Sequence, residues 1–392
     1  MTDSYKQAVI LDTNTIYNKW FLNTPYFKLL EIAAKQNLIE VYIPEIVLIE
    51  LKSKYQKELQ KNCSQYKNVV KKLVNLTYEF HPININPSFF DGLYQKYEVF
   101  LEEKVKNSSI KILPIFENIN LRKLVLKCIQ GKRPFQGESE IGFKDELIWQ
   151  SMLNNLLVNN YKVYFITNDK KAFYHEPNST QLHSDLKEEL KRLKISTDLC
   201  ELYDSLDIFM KDKIFPHLLR DENLLLEWLD IKKWILENLE SIVSNIEIVD
   251  YIEGIDIEEP EIVDLEIRKP FINEDESYFL DDNREIAFIS LTSDVLATID
   301  AFMFKSDYFC LDLRENSIIE LMDDDWNKHY VWIRIYPEAE LDISLTLSIV
   351  NKKVDSYEGI LRYTIYNFCK YCSAPLYSDA EEFCPKCGKS LF

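Results

Sequence analysis

Apolar positions in the first two hundred residues alternate between short runs and helix-spaced stripes. Ala8-Val9-Ile10-Leu11 is an apolar run with polar flanks, the signature of a buried strand, and Asp12 follows where that strand should end. Residues 25–35 carry Phe27, Leu29, Leu30, Ile32 and Ala33 at helical spacing. Residues 39–43 alternate as a second strand, and Pro44 suits the first turn of the next helix. That helix continues through Glu50 and the lysines at 52, 54, 57, 61, 67, 71 and 72, whose simplest role is a solvated face. Residues 76–116 read as a helix over 88–106 between extended, proline-containing pieces. A helix over 117–129, a loop over 131–137 and a helix over 138–159 follow. A strand over 162–167, a helix near 182–194 and a short strand over 198–203 complete the series. Such alternation predicts an α/β fold with a mainly parallel sheet.

The pattern then changes. Residues 218–245 carry Leu224, Leu225, Trp228, Leu229, Trp234, Ile235 and Leu239 at helical spacing, as packing residues. From residue 246 onward, short β-like runs separated by acids predict an antiparallel β-rich region, with Asp323, Asp324 and Asp325 on its solvated surface. The expected organisation is an α/β domain over 1–212, a helical connector over 213–245, an acidic β-rich domain over 246–367 and a small cysteine module over 368–392.

Charge sharpens that division. The 392 residues carry a net charge of −19, yet residues 1–220 hold 31 Lys and Arg against 27 Asp and Glu. The remainder holds 15 against 38, so the halves stand at +4 and −23. The first half can meet a polyanion and the second should repel one. Only 7 glycines occur, which disfavours Gly-rich nucleotide loops, and neither a Gly-x-Ser-x-Gly elbow nor a dinucleotide fingerprint is present. Gly388-Lys389-Ser390 lacks the earlier glycine and following helix of a P-loop. No apolar run approaches the roughly 18–20 residues of a membrane span. Asp3 and Lys6 precede only a short apolar run, unlike a signal peptide, so the expectation is a cytoplasmic protein with no membrane partner.

Four acids fall where a parallel sheet could bring them together. Asp12 and Asp169 end strands; Glu50 lies nearly two turns into a helix and Asp145 early on another. The strand ends of open α/β sheets are where such folds place chemistry. Three choices stay open at this stage: Glu45 beside Glu50, Glu146 beside Asp145, and Asn168 beside Asp169. Asp12 could simply cap the next helix, although Asn14 could take that role and leave Asp12 to the site. Carboxylates brought close repel unless a cation neutralises them, and hard oxygen donors select Mg²⁺ or Mn²⁺. Such ions suit phosphodiester hydrolysis, because they lower the pKa of water and offset charge at the leaving oxygen. Lys132, Arg133 and Lys144 are candidate phosphate contacts. The histidines at 81, 175, 183, 217 and 329 form no ligand spacing, though His175 or His183 could assist substrate.

The order Asp12-Thr13-Asn14, Pro44 with Glu50 and Leu51, Lys144-Asp145 with Trp149, then Thr167-Asn168-Asp169 with Phe173 resembles that of PIN-domain nucleases. The resemblance covers roughly residues 5–210 and is closest to longer bacterial PIN-like proteins, with an insertion near 76–137. It implies a Rossmann-like fold and a Mg²⁺- or Mn²⁺-dependent ribonuclease. Asp12, Glu50, Asp145 and Asp169 would be the metal ligands, with Asn14 and Thr167 orienting them. A DNA or flap-type nuclease and a non-catalytic RNA-binding or scaffold protein are the alternatives. Stress response or phage defence would follow by analogy only.

Cys369-x2-Cys372 and Cys384-x2-Cys387 are paired knuckles resembling a zinc ribbon, and four thiolates fill a tetrahedral Zn²⁺ shell, so the ion would be structural. Cys63, Cys128, Cys200 and Cys310 have no paired spacing and read as small buried hydrophobes. The C-terminal region is expected to contact a protein partner or a second copy, or to restrain the nuclease half.

Overall fold

The computed structural model describes residues 5–76, 87–107, 109–136, 141–175, 180–220, 234–235, 237–244, 246–252, 257–267, 276–279, 285–310, 319–351, 353–365, 367–368 and 375–376. The chain forms two compact units, Met1–His217 and Leu218–Phe392.

In the first unit, β1 (Gln7–Leu11), β2 (Glu40–Pro44), β3 (Ile110–Leu113), β4 (Lys162–Ile166) and β5 (Cys200–Tyr203) form one sheet in the order β3-β2-β1-β4-β5. All pairings are parallel. β1 is central, so it is covered on both faces; Ala8, Val9, Ile10 and Leu11 are each 0% exposed. Full burial of one such Val, Ile or Leu side chain contributes about 1.5–3 kcal/mol, which is why the run is unbroken by polar residues. The crossovers are α1 (Thr13–Ile16), α2 (Pro25–Lys35), α3 (Glu45–Leu76), α4 (Pro87–Asn107), α5 (Leu121–Ile129), α6 (Phe143–Asn155), α7 (Lys170–Phe173), α8 (Ser184–Arg192) and α9 (Leu206–Phe209).

Several boundaries differ from the sequence expectation. Pro44 ends β2, paired with Leu113, instead of opening α3. The helix expected from residue 117 starts at Leu121, because the Asn120 side chain accepts from the Lys123 amide and caps it there. The helix expected over 138–159 starts at Phe143 and gives way to a 3₁₀ turn at Leu157–Asn159. Gly142 sets that start: its φ of 97° is left-handed, and a Cβ there would collide with the Pro134 carbonyl. Residues 137–140 lie outside the described set.

The second unit is a β sheet built on β10 (Ile286–Phe304). With β6 (Leu219–Arg220), β7 (Glu247–Ile252), β8 (Ile257–Ile267), β9 (Glu276–Phe279), β11 (Ile319–Asp323), β12 (Tyr330–Ile335), β13 (Glu338–Ser348) and β14 (Lys353–Ile365) it forms nine strands. β10 pairs antiparallel with β8, β9, β12 and β13, and its buried residues Ala287, Ile289, Leu291, Val295, Ala297, Ile299, Ala301 and Met303 mark one core face. The antiparallel expectation holds except that β7 joins β14 in parallel. The stretch expected as a helical connector opens as strand β6, and its described helix is short, Leu239–Val243. Ile235 and Ile242 belong to the core of this unit. Residues 221–233 lie outside the described set, as do Cys369, Cys372, Cys384 and Cys387. Cys200 is buried as expected; Cys63 and Cys128 are partly exposed thiols instead. Among the described residues no helix is long and apolar enough to cross a membrane.

Candidate active site

Sheet register builds the site. Leu11 pairs with Ile166, so the next residues, Asp12 and Thr167, leave the sheet side by side. The Asp12 amide donates to the Ile166 carbonyl at 3.1 Å, and Thr167 donates its hydroxyl to Asp12 Oδ2 at 2.6 Å. Asp12 Oδ1 accepts from the Thr13 amide at 2.6 Å and so caps α1. Asn14 does not take over the capping. Its side-chain amide points to Thr167 Oγ1 at 3.4 Å, one step removed from the carboxylate.

Glu50 joins through Thr13, whose hydroxyl donates to Glu50 Oε2 at 3.0 Å. One residue thus binds two acids, the first by its backbone and the second by its side chain. Thr13 had no assigned role in the sequence reading; its place between a strand-end acid and a helix start was the available signal. Lys144 donates to Glu50 Oε1, and Lys54 lies 3.5 Å from the same oxygen. Burial pushes the Glu50 carboxyl up, but these lysines and Thr13 outweigh it and hold the group below its ordinary value. Asp169 accepts from the Ala172 amide at 2.8 Å and caps α7, while its own amide donates to Thr167 Oγ1 at 3.2 Å. Tyr174 donates to the Thr167 carbonyl at 2.7 Å and fixes the loop from below.

Asp12 is 5% exposed, and burial raises its pKa to about 6 against the Thr167 and Thr13 bonds, with Asp169 and Glu50 adding repulsion. Burial also lifts Asp145 to about 7, reinforced by Asp169, Asp12 and Glu50 and opposed by Lys144. Asp12 and Asp145 therefore both feel Glu50 and Asp169. The neighbouring acids have other uses. Glu146, 1% exposed, accepts from Lys127 at 2.7 Å and from Gln150 at 2.9 Å. Glu45 accepts from the Ile115 amide at 3.1 Å.

Among the suggested phosphate contacts, Lys144 reaches the acid set. The Arg133 amide donates to Asp185 Oδ2 at 3.0 Å, and the Lys132 amide to the Lys127 carbonyl at 3.1 Å. His183 Nδ1 accepts from the Asp185 amide, and the His175 and His183 rings lie 6.3 Å apart.

The donor set is all oxygen, and its raised acids gain from nearby positive charge, which fits a hard divalent cation. Among the described residues no three His, Cys, Asp or Glu side chains are grouped tightly enough to hold a metal ion as they stand; the coupling is electrostatic, and Glu50 turns to its lysines. This is a parallel α/β unit with a carboxylate cluster at the carboxyl edge of its sheet, a class of site suited to cation-assisted chemistry on anions.

The family comparison agrees. Residues 9–173 match the family model described as PIN domain, a span containing Asp12, Glu50, Asp145 and Asp169. The five-stranded parallel sheet with its helices is the α/β fold of that family, whose members are in general metal-dependent nucleases. No curated protein and no solved structure matches the chain.

Proposed function

We propose that this chain is a Mg²⁺- or Mn²⁺-dependent endoribonuclease whose active site is the cluster of Asp12, Glu50, Asp145 and Asp169. The observation that carries this reading is that Asp12 and Asp145, raised well above ordinary aspartates first by burial, are pushed further by Glu50 and Asp169. Carboxylates so placed bind either protons or a cation, and a divalent cation can displace the protons near neutral pH. Those four residues would hold the cation, which when bound supplies water activation and neutralises charge on the phosphodiester. The chain's own groups do the orienting. Thr13 aligns Asp12 with Glu50, and Thr167 fixes Asp12 and the Asp169 backbone. Lys144 is placed to draw a substrate phosphate toward Glu50.

The test is Mn²⁺-dependent cleavage of matched RNA and DNA oligonucleotides by the wild type and Asp12→Asn. RNA should be cut internally by the wild type alone. Equal cutting of DNA would transfer the reading to a DNA or flap-type nuclease, and full cleavage by Asp12→Asn would end it.

For the C-terminal region the proposal is a structural Zn²⁺ held by Cys369, Cys372, Cys384 and Cys387, supported by their paired spacing. The acidic β-rich region would bind a protein partner or restrain the nuclease half, supported by the −23 balance of residues 221–392 in which it lies. Zinc content lost in Cys369→Ser, and RNA binding that tightens when residues 246–392 are removed, are the expected results.

A further inference from the structure

Next to the acid cluster lies an aromatic surface that hydrolysis itself does not use. The chain leaves α1 at Tyr17, whose amide donates to the Thr13 carbonyl at 2.8 Å, and passes Trp20 and Phe21 before α2. Tyr17 meets Trp20 edge to face, with centroids 5.1 Å apart. Trp20 packs on Tyr55 of α3 and Tyr97 of α4, and Phe21 meets Tyr97 and Phe100 of α4 at 6.2 and 5.3 Å. Of the inner rings, Tyr97 is core at 1% exposure and stacks on the partly buried Tyr55 at 3.8 Å. The outer rings are open, Phe21 at 47% and Tyr17 at 36% exposure. Two exposed rings therefore stand on a rigid aromatic backing.

Positive charge joins this surface to the acids. The Lys54 ammonium lies 5.1 Å over the Tyr17 ring and 3.5 Å from Glu50 Oε1, and Lys57 is exposed further along α3. Exposed rings interleaved with lysines are the pattern by which proteins hold single strands, bases on aromatic faces and phosphates on cations. A duplex keeps its bases stacked inside and gives such rings little to bind. An apolar peptide would use the rings but leave the lysines unexplained.

We infer that Tyr17 and Phe21 form a stacking platform for unpaired bases, with Lys54 on an adjoining phosphate. As a route by which single strands reach the acids, it rests on the nuclease reading; as a binding surface it does not. The experiment measures fluorescence anisotropy of the full chain with no added divalent cation. The probes are a short labelled oligoadenylate, an abasic strand of the same length and a matched duplex. The Tyr17→Leu/Phe21→Leu double variant keeps apolar bulk and should bind oligoadenylate at least about tenfold more weakly. Its affinity for the abasic strand and the duplex should be unchanged, and Tyr17→Phe/Phe21→Trp should bind oligoadenylate like the wild type. Equal wild-type affinity for oligoadenylate and abasic strands, or equal losses on both in the leucine variant, overturns the platform. Hydrolysis of the base-free diester bis(4-nitrophenyl) phosphate reads the acid cluster separately. Base-dependent binding without that hydrolysis counts against the nuclease and for the platform; hydrolysis without base-dependent binding does the reverse.

Discussion

Replacing Asp145 by Asn should make the N-terminal unit more stable while removing cleavage. In the folded chain the Asp145 carboxyl stands at about 7 against an ordinary 3.8, first through burial and then through Asp169, Asp12 and Glu50. At 1.36 kcal/mol per pH unit that displacement corresponds to ~4 kcal/mol of unfavourable ionisation. Water reaching the partly exposed group and relaxation of its neighbours reduce the usable part to about 2 kcal/mol. The sign follows from proton linkage. Below about pH 4 the carboxyl is mostly neutral in both states, and the two proteins should melt alike. Between about pH 4 and pH 7 the unfolded chain ionises while the folded one resists, so rising pH disfavours the wild-type fold. Above about pH 7 both states are ionised and the gap levels off. For a unit of this size about 2 kcal/mol moves the melting temperature by roughly 4–8 °C. Differential scanning calorimetry of the full chain, without divalent cation, should show that rise at pH 8 in the N-terminal transition alone. Added Mn²⁺ should then raise the wild type more than the variant. A variant melting at or below the wild type at pH 8, or by the same margin at pH 4 and pH 8, would refute the electrostatic account.

Three further substitutions probe other joints. Thr13→Val keeps the amide on Asp12 but removes the hydroxyl from Glu50, and should lower stability by about 1 kcal/mol in a denaturant melt and reduce cleavage in the oligonucleotide assay. Gly142→Ala forces a side chain into left-handed backbone against the Pro134 carbonyl; urea unfolding should show a loss of about 2 kcal/mol or more. Arg362→Met removes the guanidinium from Asp342, which is 3% exposed and retains the Thr292 hydroxyl at 2.6 Å. The C-terminal transition should fall by roughly 3 kcal/mol, and adding Asp342→Asn should recover part of it.

The legibility of the fold followed burial. β1 and β4 lie inside the sheet and read as unbroken apolar runs, because both faces are covered. β3 lies at the sheet edge with four residues, of which Ile110 and Leu113 are buried, so the run left only an extended piece to see. β10 read as a single short run because Ser290, Thr292, Ser293 and Asp294 interrupt its apolar pattern. Those residues lie where β10 keeps its pairing to β13 while its other edge passes from β9 to β8, a tertiary fact that local spacing does not carry. The late start of α6 has the same origin. Glu138 and Glu140 are good helix formers by type, whereas α6 starts after a left-handed Gly142 where the Pro134 carbonyl leaves no room for a Cβ.

The site was legible as residue types and opaque as geometry. Asp12 was read as either a helix cap or a site acid, and the structure makes that a false choice. A carboxylate offers about four lone-pair positions. Asp12 gives one oxygen to the Thr13 amide and the other to the Thr167 hydroxyl, and its raised pKa shows that those bonds do not offset its burial and the repulsion around it. Asp169 caps α7 in the same way. A cap at a strand end thus also fixes where a carboxylate stands, so capping does not argue against a site role. The choice between Asp145 and Glu146 was different, since helix geometry only says that adjacent acids diverge by about 100°. What separates them is the countercharge: Lys127, on α5, meets Glu146 and also Glu189 of α8. Glu146 is thereby committed to an ion pair joining three helices, and Asp145 is left facing three acids with only Lys144 to oppose them. For two neighbouring acids on a helix, the one without a committed cation is the better candidate for chemistry, and finding it requires knowing which helices the fold sets side by side.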